Sequence, residues 1–587
     1  MNHSRSIRAR IHDSALKRVT RTFAATLADI FAETLQNARR AGATRVRITL
    51  TGGEEARPLE ITVTDDGTGI VDPAVLLSFG ENGWNEGLVR REDAAGMGFL
   101  SLARRGCAVS SRPRARDGSP APGWLVELSP AHFLGEDDVT VRPAETAPFP
   151  NGTAVTFPAA ESETANTVRL ALEAAARHYP LPVIFKHAPH TPPEGLTLER
   201  RAFLDGAVHV EKWRGLAFGV FKNRRQRFGL KAPDVNFFGL TVPVRLPEVG
   251  SAGGAHWIVA ADIEDCPELE FVLPARKEAV ETPFLADMRE AARLAIYRAL
   301  AADDDPRPAF EDFERARKSG IDIAPAPAEL RPWRPALADL DHWREPPKLA
   351  AIGPDAVIVA CDPEPPEAQA FARAAASGGL ASRLFAPDRR LEGYGWYDAI
   401  ARITRIRISV TANGQTHALE DYPVPERTGA PEAPLAQRPE SILVRSTIQA
   451  AGQPDRTLDL PADLAFAGEA WSWVGDALPL VTADSTLEPH DLASLLYDAY
   501  FSPSDDADAD SWDRQRADFD AEALHIATRL LVSDDEARRR SIADAVQREL
   551  LWLIPRDRGA DIAVRGLTVT VTLGRPEADA PPESSGK

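Results

Sequence analysis

At 587 residues the chain is too long for one hydrophobic core, and typical domain sizes divide it into roughly three or four domains. With 44% hydrophobic and 26% charged residues, and no apolar run long enough to cross a bilayer, the composition is that of a globular chain without a membrane span. A net charge of −19 argues against non-specific coating of nucleic acid, and the three cysteines, Cys107, Cys266 and Cys361, lie too far apart for a disulfide framework or a CxxC metal site, which suits a reducing compartment.

The first twenty residues are basic but lack the apolar stretch of a secretory signal, so a cytoplasmic protein is expected. Apolar residues Phe23, Leu27, Phe31, Leu35 and Ala38 recur at spacings of three and four and predict an amphipathic helix over 13–41. Its opposite stripe is Asp29, Glu33, Asn37 and Arg40. Alternating segments "TRVRITLTG" and "RPLEITVTDDG" predict two strands, followed by a glycine-bearing stretch into "GMGFLSLARRG" and strands at "GCAVSSR", "WLVEL", "DVTVRP" and "GTAVTF". Residues 1–162 therefore read as one α/β (α+β) sandwich. A second α/β unit is expected over 163–303, opening on "TANTVRLALEAAARHY", with strands "LPVIFKH", "GLAFGVFKN", "VNFFGLTVPVRL" and "HWIVAADI" and a closing helix. Residues 304–346, rich in Pro, Asp and Arg, read as a linker. A mixed α/β region of unknown fold and role follows over 347–574, and a disordered tail over 575–587. In that region the acidic run "SDDADADSWD" lacks the glycine and glutamate of an EF-hand loop, and "GYGWYDAI" reads as a packed aromatic cluster.

Four short pieces carry chemistry. Glu33 and Asn37 stand one helical turn apart and project toward one point, where an amide oxygen suits Mg²⁺ and a carboxylate can orient water. Asp65 ends a strand before a turn in which Gly67 and Gly69 permit close ligand approach, and its carboxylate can accept from an adenine amine. "GMGFLS" places Gly96, Met97 and Gly98 at the opening of a helix, where backbone N–H groups favour phosphate. "NGTAVTF" offers the Thr153 hydroxyl beside Asp65. Each piece alone is more often an ordinary surface feature.

In this order and spacing the pieces resemble the Bergerat-fold ATP site of the GHKL superfamily, and the ninety-kilodalton heat-shock chaperones within it. The resemblance implies ATP and Mg²⁺ as cofactors, Glu33 as general base, Asn37 as the Mg²⁺ ligand, Asp65 and Thr153 as adenine contacts with Gly67 and Gly69 in their turn, and Gly96, Met97 and Gly98 at the phosphates. The chain departs from the chaperone pattern in "NARRA", where Arg40 replaces an acid, and in Asp93-Ala-Ala, where a glycine is common. Arg90 and Arg91 of the implied lid approach phosphate or are simply solvated. The second unit resembles a transducer domain, which makes Arg276 or Lys277 the sensor of the γ-phosphate.

The function so implied is a Mg²⁺-dependent ATPase that works as a clamp through ATP-driven lid closure and homodimerisation, acting like a chaperone on a protein client. A DNA-acting clamp resembling MutL or the MORC ATPases would use the basic patch at 222–231. A nucleotide-dependent scaffold without turnover and a protein histidine kinase are the remaining alternatives. No membrane partner is expected.

Overall fold

The computed structural model describes residues 26–52, 58–78, 98–114, 119–144, 151–188, 190–222, 235–271, 278–339, 344–423, 438–468, 477–504, 506, 509–556 and 558–574. The chain divides into two compact units, residues 1–325 and 326–587. The mixed sheets and packed helices match the α/β class expected from the pattern. Among the described residues no helix is long and apolar enough to cross a membrane.

The first unit begins with helix α1, Leu27–Arg40. Thr26 caps it: the Asp29 N–H donates to the Thr26 hydroxyl, and the Thr26 N–H donates to the Asp29 carboxylate at 2.9 Å. Leu27, Phe31, Leu35 and Ala38 of the predicted stripe are buried, together with Ile30, whereas Phe23 and the rest of 13–25 lie outside the described residues. Strands β1 (Val46–Thr51) and β2 (Glu60–Asp65) pair antiparallel with Ile48 opposite Val63 and Leu50 opposite Ile61, which turns all four side chains to the helices.

The remaining strands of this sheet are β3 (Cys107–Arg112), β4 (Trp124–Leu128), β5 (Arg142–Pro143), β6 (Gly152–Pro158), β7 (Val183–His187) and β8 (Leu196–Thr197). Their order is β5-β4-β3-β6-β2-β1-β7-β8. Helix α2, Ala165–Ala176, and strand β7 were expected in the second unit. The structure instead pairs β7 parallel with β1 and buries Val168, Leu172, Ala176, Val183 and Phe185 in the first core. The physical reason is the open edge of β1, which a second strand and its helix close off.

The second sheet of this unit holds β9 (His209–Trp213), β10 (Leu216–Lys222), β11 (Val235–Phe237), β12 (Leu240–Val242), β13 (Glu248–Gly250) and β14 (His256–Ile263), backed by α3 (Pro283–Ala301). The stretch read as a linker is partly built into this core. Helix α4, Phe310–Lys318, follows α3, and its Ala316 and the later Ile323 are buried with Met288, Ile296 and Leu300.

α1 also grips the second sheet. The buried Gln36 amide donates to the carbonyls of Phe237 and Phe238 at 3.0 and 2.9 Å, and the Arg39 guanidinium lies 3.9 Å from the Phe238 ring centre. Phe238 holds a left-handed φ of 52°, and the Asn236 side chain steadies the turn by accepting from the Gly239 N–H. Removing the amide with Gln36→Ala orphans two carbonyls at this joint. The expected loss is about 1–3 kcal/mol of unfolding free energy, read by urea denaturation. An unchanged midpoint would show that the joint adds nothing.

The second unit carries β15 (Glu329–Leu330) paired with β16 (Ala350–Ala351), and a six-stranded sheet of β17 (Val357–Val359), β18 (Leu384–Phe385), β19 (Ala401–Ala412), β20 (Gln415–Ala418), β21 (Ser441–Gln449) and β22 (Arg456–Ala462). Helix α5, Pro365–Ser377, packs on it through Phe371 and Ala374. The aromatic cluster is packed as expected, with Tyr394 and Tyr397 buried. Hairpin β23 (Leu464–Ala467) with β24 (Leu478–Val481) then leads to helices α6 (Pro489–Tyr500), α7 (Trp512–Leu531) and α8 (Asp534–Glu549). A last hairpin, β25 (Ala560–Arg565) with β26 (Thr568–Leu573), includes the strand expected there. The tail at 575–587 lies outside the described residues.

Candidate functional site

Residues Glu33, Asn37 and Gly98 meet at one place. Gly98 opens a short 3-10 helix, Gly98–Leu102, set against α1, and a β-carbon added there would lie 2.6 Å from Glu33 Oε2 and 3.7 Å from Asn37 Nδ2. The bare backbone of Gly98 therefore sits directly against the acid and within reach of the amide, and Glu33 and Asn37 share one face of α1 as their spacing predicts. Gly98→Ala is expected to push the Glu33 carboxylate aside while leaving the fold intact, because only the far end of a side chain has to move. Circular dichroism should be unchanged, and any activity that depends on Glu33 should fall.

Asp65 and Thr153 meet at the strand ends. Asp65 Oδ1 accepts from the Gly67 N–H at 2.8 Å, and the Thr153 backbone N–H donates to the same carboxylate. Burial still dominates, lifting the Asp65 pKa to about 6 against these two stabilising bonds. Gly152, at a φ of 123°, lets β6 come this close, since any β-carbon there would collide with the Asp65 carbonyl oxygen. Gly67 packs its missing side chain against Ala41 at the end of α1, and Gly69, at a φ of 73°, sits against the Arg112 carbonyl. The Thr68 N–H donates to the Ala41 carbonyl at 2.9 Å, tying the Asp65 turn to α1.

Three residues were not picked out by sequence reasoning. Ser111, opposite Thr153 in the β3–β6 register, puts its hydroxyl 3.3 Å from the Thr153 hydroxyl and accepts from the Ile70 N–H at 2.8 Å. Asn151 donates from its amide to the Asp66 and Gly67 carbonyls at 3.0 and 2.8 Å, which fastens the turn to the start of β6. Asp66, the second acid of "DDG", accepts from the Thr44 N–H and hydroxyl and from the Arg45 N–H, and these bonds hold its carboxyl below the usual range against the opposing effect of burial. It is a fastening of the turn rather than a ligand group. The signal for Asn151 was present in "PNGT", since an amide beside a glycine commonly ties down a turn.

Arg40, the departure from the resembled pattern, reaches back three residues so that its Nη1 lies 3.5 Å from Asn37 Oδ1. A cation held by that amide oxygen would have to share it with a guanidinium, whereas a nucleotide phosphate would be favoured by the same charge. Among the described residues no cluster of three His, Cys, Asp or Glu side chains is arranged to hold a metal ion. A divalent ion held there would take one amide oxygen from Asn37 and would need its other ligands from phosphate or water.

Gly96 and Met97, Arg90, Arg91 and Asp93 of the implied lid, and both sensor candidates Arg276 and Lys277 lie outside the described residues. So do residues 223–231 of the basic patch. Its one described member, Lys222, is engaged by Asp303, with Nζ 2.8 and 2.7 Å from the two carboxylate oxygens.

No family model matches the chain, and no curated protein matches it. Among solved structures it is similar to the B-subunit of the DNA gyrase from Myxococcus xanthus, at 17% identity over 48% of this chain and 90% of that one, with a TM-score of 0.29. A likeness at that score carries no argument about activity, so the functional reading rests on the residues themselves.

Proposed function

We propose that the chain binds ATP with Mg²⁺ and hydrolyses it as a GHKL-type ATPase, coupling nucleotide to lid closure and to association of two amino-terminal domains as a clamp. The observation that supports this best is the convergence of Glu33, Asn37 and Gly98 at α1, with the Asp65 carboxylate and Thr153 beside the Gly67 turn that packs on the end of the same helix. In this reading Asp65 accepts from the adenine amine, Thr153 and Ser111 complete that end, and the Gly98 backbone lies at the phosphates with Gly96 and Met97. Glu33 takes the proton of the attacking water. Asn37 is the protein ligand of Mg²⁺, which when bound neutralises charge on the phosphoryl oxygens. Arg276 or Lys277 serves as the sensor on the second domain.

The acidic net charge favours a protein client over a DNA duplex, and the Lys222–Asp303 pair takes one cation out of the patch a DNA clamp would use. Salt-dependent binding of long DNA would reverse that preference. The reading is tested by ATP hydrolysis with and without Mg²⁺, in parallel with cross-linking between amino-terminal domains in the presence of a non-hydrolysable analogue. Magnesium-dependent turnover with analogue-dependent cross-links is the expected result. Failure to bind nucleotide at all would sink the assignment.

A further inference from the structure

The outer face of the six-stranded sheet in the second unit carries charge that its own residues leave unbalanced. Strand β19 shifts register between Ile403 and Arg405, where one extra residue, Thr404, enters against β21. The shift turns Ile406, Ile408 and Val410 toward the core that α5 covers, and it puts Arg405 and Arg407 on the other side, where both are exposed. Arg407 stands directly opposite Arg445 of β21, and Arg405 is the diagonal neighbour of the same residue. The facing acid on β22 is Asp459, and Arg445 already takes both of its oxygens, with Nε and Nη2 each at 2.7 Å. Three guanidinium groups thus face one carboxylate.

Among the described residues Arg405 and Arg407 have no acidic partner, whereas Arg373, Arg390 and Arg529 of the same unit are ion-paired. In a chain of net charge −19 such a cluster runs against the composition, and like charges placed opposite one another burden a sheet. A partner that brings carboxylates removes that burden. Geometry decides its class. Arg405 and Arg407 are two residues apart on one strand, roughly 6.7 Å along it, and acids at every second position of an extended polypeptide repeat at the same interval. Each guanidinium can grip a carboxylate with two parallel bonds. The neighbouring positions on this face, Leu443, Thr447, Thr457 and Pro461, offer no aromatic ring on which the bases of a nucleic-acid strand could stack, and the charge of the whole chain repels a duplex.

We infer that this face docks an extended acidic segment of another protein, laid along β19 with acids at alternate positions paired to Arg405 and Arg407. The contact lies apart from the ATP site proposed above and does not require it.

The test is the binding of a fluorescent peptide of five Glu-Thr repeats to the full, nucleotide-free chain at low salt, read by anisotropy. Saturable binding is expected, and it should weaken as salt rises because exposed charges are screened. A peptide of five Glu-Thr-Thr repeats has the same charge but turns successive acids to opposite sides, so it should bind about tenfold more weakly, one charge-assisted contact being lost. The double variant Arg405→Gln with Arg407→Gln should lose about a hundredfold in affinity for the first peptide. It should also unfold at a higher urea concentration than the parent, since the like charges are gone. Arg539→Gln, which removes an exposed arginine on α8, should bind as the parent does. No saturable binding by the parent, equal binding of the two peptides, or a double variant that binds as the parent does overturns the inference. So does a short DNA duplex that binds more tightly than the peptide and is released by the same variant, which would assign the face to phosphate. A double variant with a lowered urea midpoint would mark the arginines as structural and overturns it as well.

Discussion

Asp65→Asn is expected to make the protein more stable at about pH 8 and at the same time to weaken nucleotide binding by about tenfold to a hundredfold. The stability half follows from burial, which lifts the Asp65 pKa from 3.8 to about 6. A folded state that holds this proton more tightly than the unfolded chain is fully favoured below about pH 4 and loses that advantage as pH rises through about 6. Above that range the charged carboxylate burdens the fold by up to ~3 kcal/mol, at about 1.4 kcal/mol for each pK unit. Asparagine has no charge to bury and can still accept from the Gly67 N–H. Urea denaturation at several pH values should therefore show the variant gaining on the parent between about pH 4 and 6 and then holding a constant lead. The binding half follows from donor and acceptor roles. With its oxygen turned to Gly67, the asparagine would present an NH₂ where an adenine amine needs an acceptor, and a charge-assisted bond is worth about 1.5–3 kcal/mol. In the parent, affinity should fall as pH drops through about 6, because the protonated acid is a poorer acceptor. Unchanged affinity in the variant would remove Asp65 from the site. A parent with no such pH trend would mean that burial does not govern this carboxyl.

Glu33→Gln carries the largest expected effect on rate, a loss of about 10²- to 10⁴-fold in hydrolysis with nucleotide affinity nearly unchanged. The substitution keeps the shape of the side chain against Gly98 and removes only its ability to take a proton. Binding should survive because adenine and phosphate are proposed to be held by other groups. Single-turnover hydrolysis and equilibrium binding, measured side by side, separate the two. If both fall together, Glu33 shapes the pocket and does not act in the chemical step. If neither falls, another residue is the base. Gly98→Ala should share the loss of rate, since it displaces the same carboxylate by a different route.

How far the site could be read in advance depended on the range of the interactions. The phase of α1 was legible because a 3.6-residue period fixes which side chains share a face, and it puts Glu33 and Asn37 together; that Gly98 packs against them is tertiary and no period sets it. The Arg40 contact with Asn37 is equally local, being an i, i+3 pair, although in the sequence Arg40 stands out only as a departure from the resembled pattern. Ser111 was not legible because its role depends on the β3–β6 register, which no local spacing sets. The parallel pairing of β7 with β1 was missed for the same reason: α2 and β7 look like the start of a new unit until the open edge of β1 is in view. Residues 304–346 were misjudged by composition, since proline and charge describe α4 poorly when Ala316 and Ile323 are the residues that pack.

From Leu27 to Arg40 only Ala28 is exposed, the other side chains being buried or half-buried. Ile30, Phe31, Leu35 and Ala38 belong to one core, Glu33 and Asn37 to the contact with Gly98, and Gln36 and Arg39 to the turn at Phe238. Such a helix has almost no position at which the sequence is free to drift. Saturation mutagenesis should find it the least permissive segment of the first unit, for three unrelated reasons on its three sides. A substitution that relieves one side by rotating or shifting the axis disturbs the other two, so compensating changes should be rare here and should appear as pairs rather than singly.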